Sequence, residues 1–159
     1  MPGHAEAVVT INFSPDSLYL ASGSGDTTLR IYDLTTETPL HVCKGHNNWV
    51  LVASWAPDSK KIATACKSGE IRIWDPESGK QITRTMIGHK KWVNCLSWEP
   101  YHVDPSCRRL ASAGQDNDVR IWDTILGTCV QVLSGHSGAV TAVRFGGAGF
   151  IFTSSKDRT

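Results

Sequence analysis

Four Gly-His dipeptides, Gly3-His4, Gly45-His46, Gly88-His89 and Gly135-His136, divide the 159-residue chain at intervals of 42, 43 and 47 residues. The first three are each followed by an aromatic-Asp pair, Tyr32-Asp33, Trp74-Asp75 and Trp122-Asp123, spaced 42 and 48 residues apart. Self-similarity at such a period marks a repeat architecture, in which each unit buries its apolar face by stacking on the next. It also changes how every His, Ser and Asp is read, because a residue that recurs once per unit serves the unit before any chemistry.

Stacking the units in phase gives four short strand patterns in each. The first alternates in period 2, as in Val9/Ile11/Phe13, Leu51/Ala53/Trp55, Asn94/Leu96/Trp98 and Thr141/Val143/Phe145, the pattern of a half-buried strand. Pro15, Pro57 and Pro100 close three of these, since proline cannot donate to a ladder. A small-residue strand follows (Leu20-Ala21-Ser22, Ile62-Ala63-Thr64, Leu110-Ala111-Ser112, Phe152-Thr153-Ser154). Next come a Gly/Asp/Ser/Asn turn, a third strand ending in the aromatic, and a fourth (Leu40–Cys43, Gln81–Arg84, Val130–Leu133) leading to the next Gly-His. No segment sustains helical periodicity.

Four antiparallel strands per 40–45 residues describe one blade of a β-propeller. The recurring positions resemble WD40 repeats over the whole chain. The expected fold is all-β: a partial WD40 propeller of about three and a half four-stranded blades in an open arc. The blades fall at about 5–43, 47–86, 90–133 and, as a half blade, 137–159.

Each unit carries the residue types of a nucleophilic triad. They are His4, Ser22, Asp26 and Tyr32; His46, Thr64 and Trp74; His89, Ser112, Asp116 and Trp122; and His136, Thr153 and Asp157. In the resembled repeats these positions form a hydrogen-bonded set tying the inter-blade loop to the tight turn and third strand. Buried polar groups each need a partner, and no unit is singled out for catalysis, so a structural role is expected and an enzyme is not. Ser68 takes the acid's place in the second unit, which makes that unit the weakest link. No Gly-His histidine has a second His or Cys at ligand spacing, so no metal and no cofactor are expected. Gly23-Ser24-Gly25-Asp26 precedes a strand rather than a helix and reads as a hairpin turn, not a phosphate loop. The five cysteines show no CxxC spacing and fit small buried hydrophobes in a reducing compartment. The formal net charge of +1 announces neither a nucleic-acid nor a membrane partner, and no apolar run approaches the roughly 20 residues that span a bilayer.

Departures from the rhythm say more about function. Trp49 and Trp92 stand three residues after Gly-His in adjacent units, where Ala7 and Ala139 stand in the others. With the basic Lys90 and Lys91 beside them, two neighbouring indoles form a partner-binding candidate. The alternative is that each packs down between blades. The third unit also carries an insertion, Glu99–Arg109, between its first two strands.

Family-specific strings narrow the resemblance. Ala21–Thr28, Thr36-Glu37-Thr38-Pro39-Leu40, Cys43-Lys44-Gly45-His46, Trp49-Val50-Leu51, Leu96-Ser97-Trp98-Glu99-Pro100 and Phe145-Gly146-Gly147 resemble the Notchless family. That resemblance implies a non-enzymatic scaffold in 60S ribosomal subunit assembly, located in the nucleolus or nucleus, with the cytoplasm also open. Its partners would be proteins of the pre-60S particle, with rRNA a second option; no membrane and no small-molecule substrate are implied. In the family a ubiquitin-like domain engages the Midasin ATPase. No such domain is expected within these residues, and the chain reads as a fragment whose blades cannot close a ring. The competing readings are a scaffold in Notch signalling and a ubiquitin-ligase substrate receptor. Against the receptor, the basic residue common two positions after Trp-Asp is replaced by Thr35, Glu77 and Ile125.

Overall fold

The computed structural model describes residues 3–159 and forms four sheets standing side by side. The first blade is β1 (Val8–Phe13), β2 (Tyr19–Ser24), β3 (Leu29–Asp33) and β4 (Thr38–Cys43), paired in chain order. The second is β5 (Val50–Trp55), β6 (Ile62–Cys66) and β7 (Ile71–Trp74). The third is β8 (Val93–Trp98), β9 (Arg109–Gly114), β10 (Val119–Asp123) and β11 (Thr128–Leu133). The fourth pairs β12 (Val140–Phe145) with β13 (Ile151–Ser155), joined through a short 3-10 turn at Gly147–Gly149. All pairings are antiparallel. The first strand of each blade lies beside that of the next, β1 against β5, β5 against β8 and β8 against β12, as in an open arc of a propeller.

The alternation read from the sequence places large residues between blades. Trp55 packs with Ala21, Leu29, Ile31 and Trp74, joining blades one and two. Trp98 packs with Ala63, Ala65, Ile71 and Ile73, joining two and three. Val143 packs with Ala111, Ala113 and Val119, joining three and four. The tryptophans also donate across the seam, Trp55 Nε1 to Asn12 O at 3.0 Å and Trp98 Nε1 to Ser54 O at 3.1 Å. Small residues on the second strand let these rings seat.

Two local features recur in phase. The ladder of each first strand slips near its start, between Val8 and Thr10, Val50 and Val52, Val93 and Cys95, and Val140 and Ala142. Such bulges increase the strand's twist. The turn after each second strand carries one left-handed residue: Thr27, Gly69, Asn117 and Arg158. At Gly69 the space is also taken. A Cβ there would lie 2.6 Å from His89 O and 2.8 Å from Lys91 O, so the loop leading into blade three rests directly on blade two's turn.

One expected strand is not formed. Opposite β7 the segment at Gln81–Arg84 is reduced to two isolated bridges, Trp74 with Gln81 and Ile71 with Met86. The cause is a single inserted residue. Gly88 lies 13 residues after Asp75, whereas Gly45 and Gly135 each lie 12 after their Asp. The surplus bulges out around Thr83–Thr85. There the Gln81 side-chain amide donates to Thr83 O at 2.5 Å and Thr85 Oγ1 at 3.3 Å.

Candidate functional site

The recurring His, hydroxyl and acid residues come together in three units. His4 Nδ1 donates to Asp26 Oδ2 at 2.9 Å, His89 Nδ1 to Asp116 Oδ1 at 2.9 Å and His136 Nδ1 to Asp157 Oδ2 at 2.9 Å. A carboxylate only accepts, so the proton sits on Nδ1 and Nε2 receives the hydroxyl. The hydroxyls are Ser22 at 2.7 Å, Ser112 at 2.6 Å and Thr153 at 2.9 Å. The next residue's backbone N–H also reaches the acid, from Ala5, Lys90 and Ser137. In the third unit Trp122 Nε1 completes the chain on Ser112 Oγ at 2.8 Å. Among the described contacts Tyr32 makes no corresponding bond: it is half-buried, and a phenol lacks the indole N–H that points along the strand.

Burial alone would raise the Asp26 carboxyl. Bonds from Thr28, the Ala5 N–H and His4 outweigh it and hold the group well below the ordinary carboxylate range. At Asp157 the Thr159 hydroxyl leads, with His136 helping against desolvation. Asp116 is also lowered: desolvation is opposed by the Lys90 N–H and His89. Burial pushes His89 downward, and Asp116 only partly offsets it. His89 is thus held as a neutral imidazole bonded to an ionised acid.

The second unit differs. Thr64 Oγ1 meets His46 Nε2 at 2.7 Å and accepts from Trp74 Nε1 at 2.7 Å. Ser68 turns away and donates to Asn47 Oδ1 at 2.8 Å. His46, 6% exposed, is left with a buried Nδ1 that has no hydrogen-bond partner. Burial and the Arg72 guanidinium push this imidazole's pKa down to about 3. Folding also does what the spacing gave no sign of, bringing Cys66 and Glu70 to His46 so that the three ligand atoms lie within 4.8 Å of one another.

Trp49 and Trp92 stand at the head of β5 and β8, 44% and 46% exposed. Between them lies Lys67, a residue the sequence did not single out, with its Nζ 5.3 Å from the Trp49 ring centre and 5.0 Å from that of Trp92. Lys67 occupies in blade two the phase that Gly25 holds in blade one. A Cβ at Gly25 would sit 3.3 Å from Trp49, so that indole also leans on its neighbour's turn. Both rings thus rest on the preceding blade by one edge and leave the rest in solvent. Lys90 and Lys91 are exposed beside them, the Lys90 N–H bound to Asp116.

The insertion at Glu99–Arg109 is pinned at its end. Lys61 Nζ donates to Ser106 O at 2.9 Å, Thr124 Oγ1 to Cys107 O at 3.0 Å, and Arg108 Nε to Asp123 Oδ2 at 2.7 Å. Its exposed Tyr101 and Val103 lie away from these contacts.

Comparison with known proteins agrees with this geometry. The family model for the WD domain, G-beta repeat, matches residues 1–33, 37–75, 80–123 and 127–159. The chain is 65% identical over 159 residues to Protein Notchless of Drosophila melanogaster, covering all of this chain and 33% of that protein. It is 44% identical over 145 residues to Ribosome assembly protein 4 of Saccharomyces cerevisiae, covering 89% of this chain and 28% of that protein. The chain spans about a third of the length of the curated relatives it matches. Among solved structures, the computationally designed Ika4 protein superposes with a TM-score of 0.86 at 23% identity, covering 100% of this chain and 91% of that one. The in-phase hydrogen-bonded sets, the antiparallel blades and the family match over nearly every residue lead to one assignment: the chain belongs to the WD40 (WD domain, G-beta repeat) family.

Proposed function

We propose that this chain is a non-enzymatic interaction scaffold in ribosome assembly that docks on precursors of the 60S subunit through the face carrying Trp49, Lys67 and Trp92. The observation that carries the reading is the pair of half-exposed indoles on adjacent blades, held apart by one lysine. Large aromatic rings flanked by cations are the side chains that dominate binding energy at interfaces. Fold alone would not select this function; support comes from the similarity to Notchless and Ribosome assembly protein 4. Proteins of the particle are the first partner, and rRNA bases stacking on the rings the second. Residence in the nucleolus or nucleus goes with that role. The repeated His sets contribute the frame, since none is set apart as a reactive centre.

The test is cosedimentation of the tagged chain with pre-60S particles in nuclear extract, for the wild type and for Trp49→Ala/Trp92→Ala. Particle association lost in the double variant at an unchanged melting temperature supports the reading. Absence of the wild type from those fractions, or undiminished association of the variant, overturns it.

A further inference from the structure

We propose that the second blade is a transition-metal site, zinc by its ligand chemistry, held by His46 Nδ1, Cys66 Sγ and the Glu70 carboxylate. The argument begins with the buried Nδ1 that has no partner. Its equivalents in the other three units each meet a carboxylate. Here the acid is Ser68, and its hydroxyl is engaged elsewhere. A buried polar atom in a native fold calls for an occupant, and the groups facing this one are a thiol and a carboxylate.

The geometry is close to what the ion needs. The three ligand atoms lie within 4.8 Å of one another. Zinc bonds of about 2.0–2.3 Å in a tetrahedron place ligands about 3.5 Å apart, so closure asks for a shift of about 1 Å. A mixed nitrogen, sulfur and oxygen set suits zinc and disfavours magnesium and calcium, which take oxygen. The outer contacts fit as well. With Nδ1 on the metal, the ring proton moves to Nε2 and is donated to Thr64 Oγ1, now 2.7 Å away, the arrangement that orients metal-bound histidines. Arg72 Nη2 lies on Glu70 Oε2 at 3.4 Å. The other oxygen, Oε1, accepts from the Asn47 amide at 3.0 Å and would exchange that bond for the metal.

The charges balance. The Cys66 thiol releases its proton to solvent as the metal–sulfur bond forms, and thiolate plus carboxylate match a divalent ion, while Arg72 keeps its existing contact. The fourth position faces Ser68 Oγ, 3.0 Å from Cys66 Sγ, on the exposed side, where this hydroxyl or a water completes the tetrahedron. The ion would then do in blade two what aspartate does in the others, tying the His loop to the β6–β7 turn.

The probe is Co2+ titrated into the untagged, phosphine-reduced 159-residue chain, followed by competition with Zn2+. One equivalent should produce the near-ultraviolet thiolate-to-cobalt band and the visible bands of a tetrahedral ion, both erased by Zn2+. Cys66→Ala should abolish the near-ultraviolet band, and Glu70→Gln should weaken binding by at least about 10-fold. Cys107→Ser, remote from the site, should change nothing. Absence of the thiolate band, or its persistence in Cys66→Ala, overturns the assignment. If Cys66→Ala fails to fold, Glu70→Gln, at a partly exposed position, decides: an affinity equal to the wild type's overturns it.

Discussion

Ser68→Asp should stabilise the protein, and the structure sets the size of the effect. In the other three units the acid receives the His Nδ1–H and the backbone N–H of the residue after it. The substitution offers both bonds to His46 and Asn47. A buried donor without a partner costs about 1–3 kcal/mol, and a hydrogen bond to a charged group returns about 1.5–3 kcal/mol. Against this, the Glu70 carboxylate bonded to Asn47 introduces like-charge repulsion of about 1 kcal/mol. The net gain is about 1.5–5 kcal/mol, which for a chain of this length raises the melting temperature by roughly 3–20 °C. Urea unfolding with chelator present, on wild type, Ser68→Ala and Ser68→Asp, measures it, and nitrogen NMR of His46 reports which ring atom carries the proton. A Ser68→Asp midpoint no higher than wild type, with Nδ1–H shown bonded to the new carboxylate, would refute the reasoning.

Three further outcomes are expected. Trp98→Ala removes the ring that seals blades two and three, and should cost about 3–5 kcal/mol in urea unfolding. Lys67→Gln deletes a cation shared by two indoles, a loss of about 0.5–1 kcal/mol per contact at an exposed site, and should alter tryptophan fluorescence at an unchanged fold. The pH dependence follows from a lowered folded-state His89 pKa. Stability from this residue is complete above its unfolded value of about 6.5 and is lost as pH falls below it, because the unfolded state takes up the proton first. Asp116, also lowered, adds a second loss below about pH 4. A urea midpoint that is flat from pH 7 to 5, or unaltered in its slope by His89→Gln, would contradict this.

The architecture was legible because the signals that carry it are periodic. Phase identified the strands, the hairpin turns and the His–hydroxyl–acid positions without any coordinate. What stayed hidden depends on contacts between units. Lys67 looks like one more solvated turn residue until the turn is laid against Trp92. Cys66 and Glu70 are twenty or more residues from His46 in sequence and meet it only when β6 and β7 fold back. The missing outer strand of blade two was visible in principle, as a 13-residue interval where 12 is the rule, but the β-branched pair Ile82-Thr83 still reads as a strand.

That slip has a consequence for association. The outer rims of blades one and three are six-residue strands with exposed Leu40, Val42, Val130 and Val132, each able to template a strand from another chain. Blade two between them offers a kinked segment in which the Gln81 amide occupies Thr83 O and Thr85 Oγ1. Edge-to-edge growth cannot run from the rim of blade one to that of blade three along the circumference; at these two rims it must start separately, insulated by the middle blade. One surplus residue thus acts as a spacer between two adhesive surfaces.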